Sequence, residues 1–130
     1  MLAGGLVVNT KEIENVMILE LEGEIRRGGG DQPTLFQLVR AELDKGKRSF
    51  ILNLEHVKSI DSFGVGQILA SFNLVNNFGG KLKWACLPRK IRLIFEVIAI
   101  SPPWFIWPED GVPYDTVEAA HESFSVNIRK

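Results

Sequence analysis

The hydrophobic period of this chain switches back and forth between two and 3.6, and few folds accept such a sequence. Met17, Leu19 and Leu21 alternate with Ile18, Glu20 and Glu22, the two-residue period of a strand with one buried face. Leu35, Leu38, Val39 and Leu43 then recur at helical spacing. Phe50-Ile51-Leu52-Asn53-Leu54 is a short apolar run that suits a buried strand. Val65, Ile68, Leu69, Phe72 and Val75 return to the helical period. Leu82, Trp84 and Cys86 alternate with Lys81, Lys83 and Ala85 as another strand, and Ile91, Ile94, Phe95 and Ile98 share a helix face. Trp104-Phe105-Ile106-Trp107 reads as a last short strand, and Val117, Ala120 and Phe124 as the stripe of a last helix. Strands that take turns with helices define an α/β domain with a mixed sheet. The expectation is about five strands and about four helices.

Turn residues punctuate these periods. Leu6-Val7-Val8 is a strand that returns through Glu14-Asn15 as a hairpin. Gly28-Gly29-Gly30 breaks the pattern, Asp31 is expected to cap the first helix, and Pro33 suits its first turn. Gly46 stops that helix, with Lys45 in the last turn and Lys47 and Arg48 beyond it. A turn carrying His56 and Lys58 is expected after Leu54. Asn77, Gly79 and Gly80 end the second helix, Pro88 opens the third, and Asp115 or Thr116 caps the last.

A chain of 130 residues is expected to form one domain, 1–130, with no repeat and no linker longer than the triple glycine. Fifteen basic residues balance 16 acidic ones, so no basic excess draws a nucleic acid. The lone Cys86 has no internal disulfide partner. No leader-like segment and no apolar run of membrane-spanning length stands in the sequence, so a cytoplasmic protein without membrane contact is expected.

The chemistry-bearing stretch is Ile60-Asp61-Ser62-Phe63-Gly64-Val65-Gly66, where a strand ends and a helix begins. Ser62 stands at the N-cap or in the first turn, with Asp61 as a rival cap. Gly64 and Gly66 carry no side chain and would let another molecule come close. A serine at a helix start is in most proteins only a cap. Phosphorylated, it would carry about −1.5 to −2 charges. The helix dipole tolerates that charge, whereas a partner docked over the turn does not.

The apolar strand Phe50–Leu54, the spacer and Asp61-Ser62-Phe63-Gly64-Val65-Gly66 resemble the signature of the STAS family. That domain is shared by anti-sigma-factor antagonists and the cytoplasmic parts of sulphate transporters. Leu21-Glu22-Gly23-Glu24-Ile25 is similar to the family's Gly-Glu-Leu turn. Asn77-Phe78-Gly79-Gly80-Lys81-Leu82-Lys83 is similar to its Gly-Gly-x-Leu turn. Trp104 to Trp107, with Thr116-Val117-Glu118-Ala119-Ala120, resembles its closing strand and helix. The resemblance implies a mixed sheet with helices mostly on one face. It implies that Ser62 accepts a phosphate from an anti-sigma factor that is also a serine kinase. The unphosphorylated form would bind that kinase and free the sigma factor, and a phosphatase would reset the switch. Asp61, Ser62, Phe63, Gly64 and Gly66 would form the partner-binding turn. No cofactor is implied; ATP and magnesium would sit on the kinase. Oligomers are compatible with this reading. Phe63 stands where the family has a second serine, so the motif holds one hydroxyl.

Two other readings compete. A constitutive STAS module in a signalling or lipid-transport complex would keep the fold without the phosphate, with Phe63, Trp104, Phe105 and Trp107 extending an apolar contact surface; Arg26 and Arg27 beside the triple glycine would suit an anion. A small hydrolase would need a nucleophile elbow, yet Ile60 replaces its first glycine. Leu69 replaces the third glycine of a dinucleotide loop. His56 and His121 lie far apart with no metal-ligand spacing. The expectation is a binding module and not an enzyme.

Overall fold

The computed structural model describes residues 5–26, 33–100 and 113–128. The chain runs β1 (Leu6–Ile13), β2 (Val16–Ile25), α1 (Leu35–Asp44), β3 (Ser49–Ile60), α2 (Ser62–Asn77), β4 (Lys81–Ala85), α3 (Arg89–Ile100) and α4 (Val117–Ile128). The strands form one sheet in the order β1-β2-β3-β4. β1 and β2 are antiparallel, and β2, β3 and β4 are parallel. The sheet is therefore mixed, as expected. The hairpin turns at Glu14 and Asn15, both at positive φ (51° and 69°). Such a two-residue turn matches the twist of the strands it joins.

The two faces of the sheet are built differently. Met17, Leu19 and Leu21 of β2, Phe50, Leu52 and Leu54 of β3, and Leu82 and Trp84 of β4 pack with Leu35, Val39, Val65, Ile68, Ile91 and Phe95. α1, α2 and α3 thus share one face. Trp84 is fully buried there, with the Phe72 and Phe95 rings edge-on at 5.5 and 5.0 Å. On the opposite face Val16, Ile18, Ile51 and Ala85 meet Ala120 and Phe124 of α4. The alternation in β4 put Lys83 on a polar side, but α4 covers it. Lys83 is 1% exposed. Its Nζ donates to Ser123 Oγ at 2.6 Å and lies 4.5 Å from the centre of the Phe124 ring. A buried ammonium is tolerable only with such partners. Cys86 leaves the β4 alternation at φ 60° and packs half-buried beside the α4 cluster.

Two sequence expectations need correction. α1 begins after Thr34, which is its cap, so Pro33 precedes the helix; Asp31 lies outside the described residues. The expected turn at His56 and Lys58 is continuous strand. Register shifts against β2 between Glu20 and Glu22 and between Gly23 and Glu24 give β3 extra residues there. Burial then falls on Leu54, Val57 and Ile60, a spacing that mimics a turn in sequence. Of the two caps expected for α4, Thr116 is the one in use: its hydroxyl accepts from the Ala119 N–H at 3.0 Å. The expected strand at Trp104–Trp107 lies outside the described residues. Among those residues, a parallel bridge joins Ala85 to Tyr114 beyond the β4 edge.

Candidate functional site

The C-terminal ends of β2 and β3 carry the turn singled out in the sequence. Ile25 and Ile60 are paired as the two strands end. The Asp61 N–H then reaches back to the Ile25 carbonyl at 3.4 Å. Asp61 is extended (φ −111°, ψ −174°), and its carboxylate accepts from the Gly64 N–H at 2.8 Å. The Val65 N–H donates to the Asp61 carbonyl at 2.9 Å and closes the first turn of α2. The cap is therefore Asp61, and Ser62 is the first helical residue. That resolves the two alternatives left open by the sequence. Capping is done by a carboxylate, so the Ser62 hydroxyl is not needed for it. Ser62 is exposed.

The neighbours divide by role. Gly64 is buried, and a Cβ there would collide with the Ile25 carbonyl oxygen. The close approach that Gly64 permits is thus made by the chain's own β2, which corrects the reason given for this glycine. Gly66 is exposed with open space before it. Phe63 is half-buried. One turn further on, the Gln67 side-chain oxygen accepts from the Phe36 N–H of α1 at 3.0 Å. This contact holds the start of α1 beside the start of α2. Asp61, Ser62, Phe63 and Gly66 therefore form a partly exposed turn, with Gly64 as its buried hinge to β2. Sequence reading missed Ile25 and Gln67. Nothing local in the sequence marked either one, since the Phe36 amide lies 31 residues before Gln67.

Both histidines are partnered away from Ser62. His56 is exposed on β3. His121 Nε2 lies 3.2 Å from the Ile13 carbonyl and 3.4 Å from the Glu14 carboxylate, at the hairpin. An open polar cleft of about 210 Å³ over β2 and β3 is lined by Glu20, Glu22, Asn53, Glu55 and His56, and does not include Ser62. Burial, then Glu55 and more weakly Glu118 and Asp115, push the Cys86 thiol up from its ordinary value, against a backbone hydrogen bond that lowers it. That thiol stays protonated at neutral pH and is a poor nucleophile. Among the described residues, no cluster of three or more His, Cys, Asp or Glu side chains could hold a metal ion. Among the same residues, no helix is long and apolar enough to cross a bilayer.

The STAS domain family model matches residues 7–109. The chain belongs to the STAS-domain family. Its STAS fold is similar to that of an anti-sigma factor antagonist from Mycobacterium paratuberculosis: TM-score 0.69, 15% identity, 92% of this chain and 94% of that one. The Bacillus cell-fate determinant SpoIIAA matches in its phosphorylated form: TM-score 0.63, 18% identity, 91% of this chain and 99% of that one. The unphosphorylated anti-sigma factor antagonist SpoIIAA matches equally: TM-score 0.62, 18% identity, 95% and 98% of the two chains. At these identities the likeness is one of fold. The mixed STAS sheet with its helices mostly on one face, implied by the sequence motifs, is the architecture seen, with four strands among the described residues where about five were expected.

Proposed function

We propose that this STAS domain is an anti-sigma-factor antagonist, a binding module whose contact with a kinase-type anti-sigma factor is switched off by phosphorylation of Ser62. The whole chain, 1–130, is read as this one domain, acting in the cytoplasm. The observation that carries the reading is the division of labour at the start of α2. Asp61 makes the cap, Gly64 packs on β2, and Ser62 is left exposed.

A hydroxyl in that position can be modified without disturbing the fold. A phosphate on Ser62 would sit at the positive end of a 16-residue helix, where the dipole favours an anion. A protein docked on Asp61, Ser62, Phe63 and Gly66 would meet a dianion beside an existing carboxylate. Leaving a buried charge unpaired costs roughly 3–5 kcal/mol, enough to dissolve an ordinary complex. The domain survives and the complex does not, which is the requirement for a reversible switch. A phosphatase then restores binding. The supporting comparisons are with antagonists of anti-sigma factors, one of them in a phosphorylated form.

Calorimetric titration of the anti-sigma-factor kinase from the same organism tests the reading. Wild type and Ser62→Ala are expected to bind alike, and Ser62→Asp to bind far more weakly. Undiminished binding by Ser62→Asp would instead favour the constitutive STAS module.

A further inference from the structure

We propose that β1 is a homodimer interface, on which a second copy of this chain adds its own β1 antiparallel to the first and centred on Thr10. β1 ends the sheet, pairing only with β2 among the described residues. Its eight residues are mostly exposed, and among the described residues no strand pairs with its outer edge.

The hairpin fixes which backbone groups face outward. The turn at Glu14-Asn15 closes on the pair Ile13↔Val16, and the ladder continues Lys11↔Ile18, Asn9↔Glu20 and Val7↔Glu22. In an antiparallel pair, hydrogen-bonded and non-hydrogen-bonded positions alternate. A two-residue turn closes on a hydrogen-bonded pair, so Ile13, Lys11, Asn9 and Val7 turn their N–H and C=O groups towards β2. The backbone groups of Glu12, Thr10, Val8 and Leu6 then point to the free edge.

The side chains select the register. A two-fold axis through the seam, perpendicular to the sheet, keeps each face on its own side. Opposed residues must therefore share parity. Centred on Asn9, the seam sets Val7 against Lys11 of the second copy. Centred on Lys11, it sets two lysines against each other. Centred on Thr10, it sets Val7 against Ile13 twice. These two residues are the exposed large apolar side chains of β1, at 52% and 43% exposure. The same register makes Thr10–Thr10 and the two Val8–Glu12 pairs hydrogen-bonded, about six main-chain bonds in all. Val7 and Ile13 fall at non-hydrogen-bonded positions, where opposed side chains come closest.

Charge does not guard this edge in the usual way. Edge lysines and carboxylates normally repel an added strand. Here Lys11 is paired with Glu20 at 3.2 Å and Glu12 with Lys47 at 2.9 Å, both within the chain. The edge is locally neutral, and a second copy brings the same neutral edge. A single strand seam buries little area, so the dimer is a weak one that forms with rising concentration.

Sedimentation of the full chain from micromolar to millimolar concentration tests the interface. A reversible monomer–dimer equilibrium is expected. Thr10→Pro removes an outward donor and spares the β2 ladder, as edge strands allow. It should weaken association at least about tenfold while the circular dichroism stays that of the wild type. Cross-linking fixes the register independently of that variant. In a Cys86→Ser background, Thr10→Cys should oxidise to a dimer faster than Asn9→Cys or Lys11→Cys. A chain that stays monomeric throughout would overturn the proposal and leave the edge to a strand from another protein. Equal cross-linking at positions 9, 10 and 11 would overturn it as well.

Discussion

α1 and α2 start on the same layer of the molecule, and each start carries a hydroxyl residue, but the two hydroxyls have different fates. At α1 the Thr34 hydroxyl accepts from the Gln37 N–H at 3.2 Å, and the Gln37 side chain accepts from the Thr34 N–H at 2.9 Å. This capping box, with Gln67 on the Phe36 N–H, satisfies the start of α1 from within the chain. At α2 the same task is done by the Asp61 carboxylate, and Ser62 stands one residue later, exposed. The lesson concerns position. A hydroxyl at a helix start is structural when it is the cap, and available when its neighbour is.

Four measurements break or sharpen that contrast. The largest effect is on binding. A phosphate or an aspartate at Ser62 should weaken the anti-sigma-factor complex by about 100-fold or more, with thermal unfolding unchanged. A large drop in melting temperature would mean that Ser62 is structural after all. Next come the glycines of the same turn. Gly64→Ala should cost about 2–3 kcal/mol in urea unfolding, because its new methyl meets the Ile25 carbonyl. Gly66→Ala, facing open space in a helix, should be neutral or stabilising by up to about 1 kcal/mol. The caps follow. Thr34→Ala and Asp61→Ala should each cost about 1 kcal/mol, whereas Ser62→Ala should stay within about 0.5 kcal/mol of wild type. The smallest effect is that of Gln67→Ala. It should cost about 0.5 kcal/mol and speed hydrogen exchange at the Phe36 amide, leaving the Gly64 amide as protected as before.

Much of the fold was legible because burial and period agree. Met17, Leu19 and Leu21 alternate and are buried on one face, and Leu35, Val39 and Leu43 recur and are buried under one helix. Legibility failed where tertiary partners override local pattern. The later half of β3 reads as a turn because its bulges against β2 replace alternation by the irregular set Leu54, Val57 and Ile60. Lys83 reads as solvent-facing because a lysine gives no sign that Ser123 and Phe124 of α4 will cover it. At the site, Asp61 and Ser62 were recognisable as a helix start, but which of them caps depends on the extended geometry of Asp61. The purpose of Gly64 was hidden for the same kind of reason: its neighbour, the Ile25 carbonyl, is 39 residues earlier in the chain.

The most direct test of the central claim is to incubate the protein with ATP, magnesium and the anti-sigma-factor kinase of its own organism, then map phosphate by mass spectrometry. One phosphate on Ser62, absent from Ser62→Ala, and loss of the kinase complex as it accumulates are expected. An unmodified Ser62, or a phosphorylated Ser62 that still binds the kinase as tightly as before, would contradict the claim.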